Sequence, residues 1–362
     1  MRDDDPGCPL VTAAAGTVSW GWLPNAASHP VLAVAPGDVV CVDTISHEGI
    51  LDDQGRDPVR FFGDLGIPRH AVLADAVELA ASDVVHDERA GPHVVIGPIA
   101  VRGATVGDIL EVETLRLRRR TDYGIISNRH GRGALPDEYP ARPASGEPPP
   151  PVCVLATVEG SRGVLRWGRG RQARFPLNPF LGIMGVAPAT EEPVHSVPPG
   201  PHGGNLDVNL VGEGSRLYLP VLVPDAMFYV SDPHFAQGDG EVALTAFEAP
   251  LRAWMRLSVH RNRAARHLAA VLRQPFAETA ESWIVVGLDV DLDEAMRAAT
   301  RQAIAFLVEH VGMPPPLALA YLSAAADFEV SQVVDRVKGV HCVIRKHDFG
   351  APAWLGNDWL KQ

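Results

Sequence analysis

"SRLYLPVLVPDAMFYVSDPHFAQGDGE" (215–241) decides how this chain folds. Two apolar and aromatic runs, 215–223 and 226–231, flank Pro224 and Asp225, a pattern that predicts two strands joined by a hairpin turn. The second run passes directly into Asp232, His234, Gln237, Asp239 and Glu241, and a further strand-like run, "EVALTAF" (241–247), follows. Ionisable groups beside strands built for burial are costly unless they are paired or bound to metal. The segment is therefore a solvated turn or a site.

The strand pattern repeats outward. "VLAVAPGDVVCVDT" (31–44), "HVVIGPIAVRGATVGDILEVETLRL" (93–117) and "VCVLATV" (152–158) are Val- and Ile-rich runs bounded by Gly and Pro. Helices are fewer. The spacing predicts one over 68–83, one over 291–312 with Asp291 as cap and Gly312 as stop, and one over 316–328. The expected fold is α+β and mostly β: a β-sandwich or barrel-like core over 1–250 carrying the site, and a smaller α+β portion over 251–362 packed on it.

The chain has 362 residues and a net charge of −12, with no basic stripe interleaved with aromatics, so nucleic acid is not an expected partner. No run of about 18 apolar residues exists, and the acidic N-terminus lacks the order of a signal peptide, which predicts a cytoplasmic protein without a membrane partner. Cys8, Cys41, Cys153 and Cys342 form no CxxC pair, and Cys41, Cys153 and Cys342, which sit in strand-like runs, read as buried reduced thiols. His260, His267 and His310 read as surface residues.

On a strand, residues two apart face the same way. Asp232 and His234 have that spacing, as do Asp239 and Glu241, and Asn205 and Asp207 in "GGNLDVN". Asp, His and Glu together suit zinc or a similar divalent ion, with calcium as the alternative. No G-x-S-x-G elbow, Ser/Gly-rich amidase stretch or nucleophilic cysteine is present, which leaves activated water for any hydrolase.

The stretch from "PLNPFLGIMGVAP" through "GGNLD", "LYLPV" and "DPHFAQGDGE" (176–250) resembles the acetamidase/formamidase family. "HVVIGPIAVRGATVGDILEVE" (93–113), "SHEGILDDQGRDPVRFFGDLGI" (46–67), "YGIISNRHGRG" (123–133) and "AYLSAAADFEVSQVVDRVKGVHCVIRK" (320–346) are similar to it as well. The resemblance implies a β-rich homo-oligomer that cleaves the C–N bond of a small linear amide, releasing ammonia and a carboxylate. One departure is Asp225, where many members carry Gly.

Amide hydrolysis needs a nucleophilic water, an oxyanion partner and a proton for the leaving group. Asp207, Asp232 and His234 are the candidate metal ligands, with His93, which opens the segment the resemblance places in the core, as a fourth. Glu241 is the candidate general base and acid, and Asn205 the oxyanion donor. Glu48 is the next acid/base candidate, and His47 and His130 belong to Gly-bounded loops of mixed polarity. Gln237, Phe235 and His130 are the candidate substrate contacts, and Phe180, Met184 and Phe228 are expected to frame an apolar pocket. Two other readings use the same residues: a metal-dependent lyase or C–C hydrolase, and a non-catalytic ligand-binding sandwich with structural calcium.

Overall fold

The computed structural model describes residues 7–87 and 89–350. A nine-stranded sheet runs in the order Leu10–Thr12, Val39–Asp43, Leu251–His260, Ile109–Arg119, Arg216–Pro220, Phe276–Glu278, Ser282–Asp289, Lys338–Arg345, Asp327–Gln332. Against it packs a sheet ordered Gly203–Asn205, Phe180–Val186, Phe228–His234, Val94–Val101, Val18–Trp20, with Leu32–Val34 parallel to Val94–Val101. A four-stranded meander, Tyr123–Asn128 to Arg171–Pro176, completes the β structure apart from one two-stranded pair.

Alternation of side chains along the strands builds the layers. Leu217, Leu219, Ala277, Ile284 and Val286 face one core, which they share with Leu181, Met184, Phe228 and Val230 of the other sheet. Tyr218, Phe276, Trp283 and Val285 point the opposite way, onto Leu268, Phe306 and Leu322 of three helices. Each such large side chain stabilises the fold by roughly 1.5–3 kcal/mol on burial. The expected mostly-β sandwich with a helical C-terminal portion is what forms, and the nine-stranded sheet takes strands from both sides of residue 250.

The helix expected over 291–312 is helical from Leu292 to Phe306 and continues as a π-turn to Val311. Asp291 caps it, accepting from the backbone N–H groups of Asp293 and Glu294, and Gly312 stops it at φ 74°. Such a cap is worth about 1 kcal/mol. The expected helices over 68–83 and 316–328 are Ala74–Ala80, after a single 3₁₀ turn, and Pro315–Ala325. Pro58–Asp64 and Arg263–Leu272 are helices that the spacing did not predict. No single helix among the described residues is long and apolar enough to cross a membrane.

Two strand expectations are corrected. Arg216–Pro220 and Phe228–His234 are not a hairpin: they lie in different sheets. The link between them turns sharply because Asp225, Ala226 and Met227 all hold left-handed backbone, at φ 58°, 58° and 56°. Asp225 fits there, and its Oδ1 accepts from the Gly103 N–H at 2.7 Å. The run 241–247 is no strand either; Glu241 and Leu244 have φ 45° and 125°, which breaks the pleat. Cys41, Cys153 and Cys342 lie in strands as free thiols. His260 is not a surface residue; it is buried, 2.6 Å from Glu111 Oε2.

Candidate active site

The strand Phe228–His234 ends at the wall of a cavity of about 380 Å³. His47, His93, Asn205, Asp232, Glu241 and Glu248 line its inner end, with Asp335 from the turn after Asp327–Gln332. Asp207 and His234 lie immediately behind, both fully buried, with His234 Nδ1 3.9 Å from Asp207 Oδ1. His234 Nε2 is 3.1 Å from Asp232 Oδ2 and 3.0 Å from Glu248 Oε1.

Three of these acids bend the backbone. Asp207, Asp232 and Glu241 have φ 49°, 57° and 45°. Left-handed backbone costs a non-glycine residue roughly 1–2 kcal/mol and persists where the surroundings over-determine it. The N–H groups of Leu206 and Asp207 both donate to the Gly182 carbonyl, and Gln237 Nε2 donates to the Asp207 carbonyl at 2.9 Å. Gly182 makes the convergence sterically feasible, because it leaves free the space that Asp207 and Asp232 occupy.

On the facing wall the His47 and His93 rings meet edge to face, 5.4 Å between centroids. His93 Nδ1 is 2.9 Å from Ser196 Oγ, which leaves Nε2 turned toward Asp232 Oδ1 at 3.8 Å. His47 Nδ1 is also 3.8 Å from that oxygen, and its Nε2 is 3.5 Å from Glu48 Oε1. A histidine tied by one nitrogen to a hydroxyl or carboxylate and presenting the other is how metal-binding imidazoles are oriented. Glu48 itself lies behind His47, held by Ser127 Oγ at 2.7 Å, by Gln54 and by Arg129. Burial raises the Glu48 carboxyl, but the His47 hydrogen bond and the neighbouring charges outweigh it and bring it down to about 2.

Burial opposes the charged form of Asp232 as well, but the His234 charge, then that of His93, outweigh it and hold this carboxyl below the usual carboxylate range. The other four acids are driven the other way. Burial, then the Asp232 charge, lifts Asp207 to about 7. Burial, then the Asp207 charge, holds Glu241 and Asp335 well above the usual carboxylate range, and burial raises Glu248. Burial also pushes His93 down to about 3, so this imidazole is neutral. Burial opposes the charged form of His234, but Glu248 and Asp232 outweigh it and raise its pKa well above normal.

This donor set fits a cation. Asp207 Oδ1, Asp232 Oδ1, Glu241 Oε2, Glu248 Oε2 and Asp335 Oδ2 are buried with no hydrogen-bond partner among the described residues. Orphaned carboxylate oxygens of this kind are satisfied by protons or by metal. Ligand atoms of His47, His93 and Asp232 lie within 4.8 Å of one another, as do those of Asp207, His234 and Glu241, and those of Asp232, His234 and Glu248. Asp239 instead groups nearer the surface with Glu329 and His341.

The fold thus brings together His47, Glu48, His93, Asn205, Asp207, Asp232, His234 and Glu241 of the residues singled out in the sequence. It does not bring the three candidate substrate contacts to the cavity. Phe235 packs on Phe247 in the core, and His130 lies between the Pro140 carbonyl and Arg142. Gln237 braces the Asp207 backbone. Phe180, Met184 and Phe228 are likewise core residues, though the Phe180 ring backs His234 at 4.9 Å. The apolar part of the cavity wall comes from Leu51, Pro92, Val197, Leu244 and Val334. Sequence reasoning missed Gly182, Glu248 and Asp335. A lone carboxylate inside "TAFEAP" was a usable signal for Glu248, while nothing local marks the other two.

Residues 189–344 match the model of the acetamidase/formamidase family. A formamidase from Methylophilus methylotrophus is 28% identical over 204 residues, 45% of this chain and 50% of that protein. The chain spans about half the length of the curated relatives it matches. Among solved structures, acetamidases from Bacillus halodurans and Yersinia enterocolitica superpose with TM-scores of 0.72 and 0.74 at 25% identity. The superposed region covers 96% of this chain in both cases, and 100% and 95% of the respective relatives. The resemblance carried by "GGNLD" and "DPHFAQGDGE" is therefore to the acetamidase/formamidase family, in sequence over 189–344 and in fold over nearly the whole chain.

Proposed function

We propose that this protein hydrolyses the C–N bond of linear amides, formamide and acetamide being the simplest, to a carboxylate and ammonia. The observation that carries the reading is the convergence, at the inner end of one cavity, of two oriented histidines and four carboxylate oxygens without a partner among the described residues, with a fifth, on Asp207, immediately behind. The likeness to formamidase and acetamidase sequences supports it.

His47, His93 and Asp232 would hold a divalent ion, zinc by ligand type, with the Asp207–His234–Glu241 and Asp232–His234–Glu248 groups adjoining. Such an ion supplies Lewis-acid activation of water and of the amide carbonyl. The chain's own groups do the rest. Glu241, whose raised pKa favours the protonated carboxyl, carries the proton that the leaving nitrogen needs. Asn205 lines the cavity and offers its amide N–H to the carbonyl oxygen as charge develops. Glu48 fixes the His47 ring, and Asp335, whose pKa burial and the Asp207 charge hold well above the usual range, retains a proton beside Asp207 and Glu241. The cytoplasmic location and homo-oligomeric state expected from the sequence belong to the same reading.

An ammonia-release screen over short primary amides, with and without chelator, tests the reading. Release that chelator abolishes and zinc restores is the expected result. No release from any amide by metal-loaded protein would overturn it.

A further inference from the structure

The cavity is larger than a small amide needs. At about 380 Å³ it falls within the range of roughly 300–1,000 Å³ typical of pockets for much larger ligands. Its two ends also differ in chemistry. The inner end is acidic, and the outer end is bordered by Arg132, Arg336 and His195.

The outer end contains hydrogen-bond donors that lack acceptors. Asp52 and Asp53 also border it, but both are already engaged, Asp52 by His86 at 3.0 Å and Asp53 by Arg129 at 2.6 Å. Arg129 is in turn occupied by Asp53 and Glu48. Neither Arg132 nor Arg336 has an ion-pair or side-chain hydrogen-bond partner among the described residues. His195 Nδ1 accepts from the Val197 N–H at 3.1 Å, so the ring proton sits on Nε2. That Nε2 is buried and has no acceptor among the described residues. Burial first, then the charges of Arg336 and Arg132, pushes His195 down to about 4, which sets both guanidiniums in the field of this ring and keeps it neutral.

A single unpaired arginine on a surface is ordinary. Here two of them, and an orphaned imidazole N–H that a folded protein normally satisfies, border one cavity. The arginine positions are also built. Gln332 is buried, accepts from the N–H groups of Val334 and Asp335 at 2.9 and 3.0 Å, and donates to the Val337 carbonyl at 2.7 Å. This brace holds Arg336 at φ 66°, so that one turn sends Asp335 inward and Arg336 to the rim. Planar guanidinium donors beside an N–H donor match a carboxylate.

We propose that the outer end is a carboxylate subsite, and that the preferred substrate is the monoamide of a short dicarboxylic acid. This rests on the amidase reading. The carboxylate pairs with Arg132, Arg336 and His195 while the carboxamide reaches the inner end. Water adds to the amide carbonyl, the C–N bond breaks, the nitrogen leaves as ammonia with the proton it gains, and a dicarboxylate is released.

The test compares succinamate with its uncharged analogue butyramide, in the wild type and in the Arg132→Gln/Arg336→Gln double variant, and measures succinate binding by calorimetry. The wild type is expected to favour succinamate in kcat/KM by roughly tenfold or more, and the double variant to lose roughly tenfold to a hundredfold of that preference, mainly through KM. High salt should erode the preference in the wild type. A wild type that favours butyramide, or a preference the double variant retains, overturns the subsite. If no amide releases ammonia, the amidase reading fails and succinate decides the subsite separately. Binding weakened at least tenfold in the double variant upholds it, and equal or absent binding overturns it.

Discussion

A β-carbon on Gly182 would sit 2.3 Å from Asp207 Oδ1 and 2.5 Å from Asp232 Oδ2. No real side chain tolerates such contacts, so position 182 is glycine for space, not for backbone freedom. Gly182→Ala forces both carboxylates to move. Overpacking costs about 1–3 kcal/mol, and a shift near 1 Å at reacting groups costs roughly a hundredfold in rate. The expected outcome is a folded protein, by thermal melting, whose amide turnover is down about a hundredfold. Wild-type turnover would show that the two acids need not lie where they do.

The histidine pair predicts the metal content. His93→Ala and His47→Ala should each lower the bound divalent ion measured by elemental analysis. Glu48→Gln, which loosens the His47 ring, should weaken metal affinity by roughly tenfold to a hundredfold. Equal metal in His93→Ala and wild type would strike His93 from the ligands.

Glu241→Gln keeps the shape of the side chain and removes its titration. A loss on the order of 10²–10⁴ in kcat with metal content retained is the expected result. A variant that keeps most of its kcat would move the proton transfer to Glu248 or Asp335.

His202 predicts a pH dependence of stability away from the acids. It is buried, its Nε2 has no hydrogen-bond partner among the described residues, and burial pushes its pKa from 6.5 to about 4. The unfolded chain therefore binds the proton more tightly than the folded one, so stability rises with pH across that window. The contribution is present above about 6.5 and lost as pH falls toward 4. Melting temperatures from pH 7 down to pH 4 should fall less steeply in His202→Gln than in wild type. Parallel curves would remove His202 as a source of acid sensitivity.

What the sequence revealed was local. Asp291 and Gly312 mark the ends of their helix because caps act within a turn, and Asp232 and His234 share a site because two residues on one strand end cannot be far apart. The hairpin was misread because an apolar run fixes a strand but not its neighbour. Arg216–Pro220 and Phe228–His234 have the same pattern and lie in different sheets. Glu248 and Asp335 reach the cavity by long-range packing, and position 182 matters only for what surrounds it, so neither kind of information is written nearby.

The strand Leu251–His260 lies between Val39–Asp43 and Ile109–Arg119. This fixes an order of events during synthesis. A nascent chain that has emerged only through residue 250 carries both neighbours with facing edges unpaired, and exposed edges invite pairing with other chains. Closing the sheet waits on contacts between residues more than two hundred positions apart, as between Asp43 and Arg252, and such non-local pairing slows folding. Asp335 and Arg336 arrive later still. The cavity is thus complete only after residues 335 and 336 have been made, and until the strand Leu251–His260 is in place the two facing edges are open to pairing with other chains.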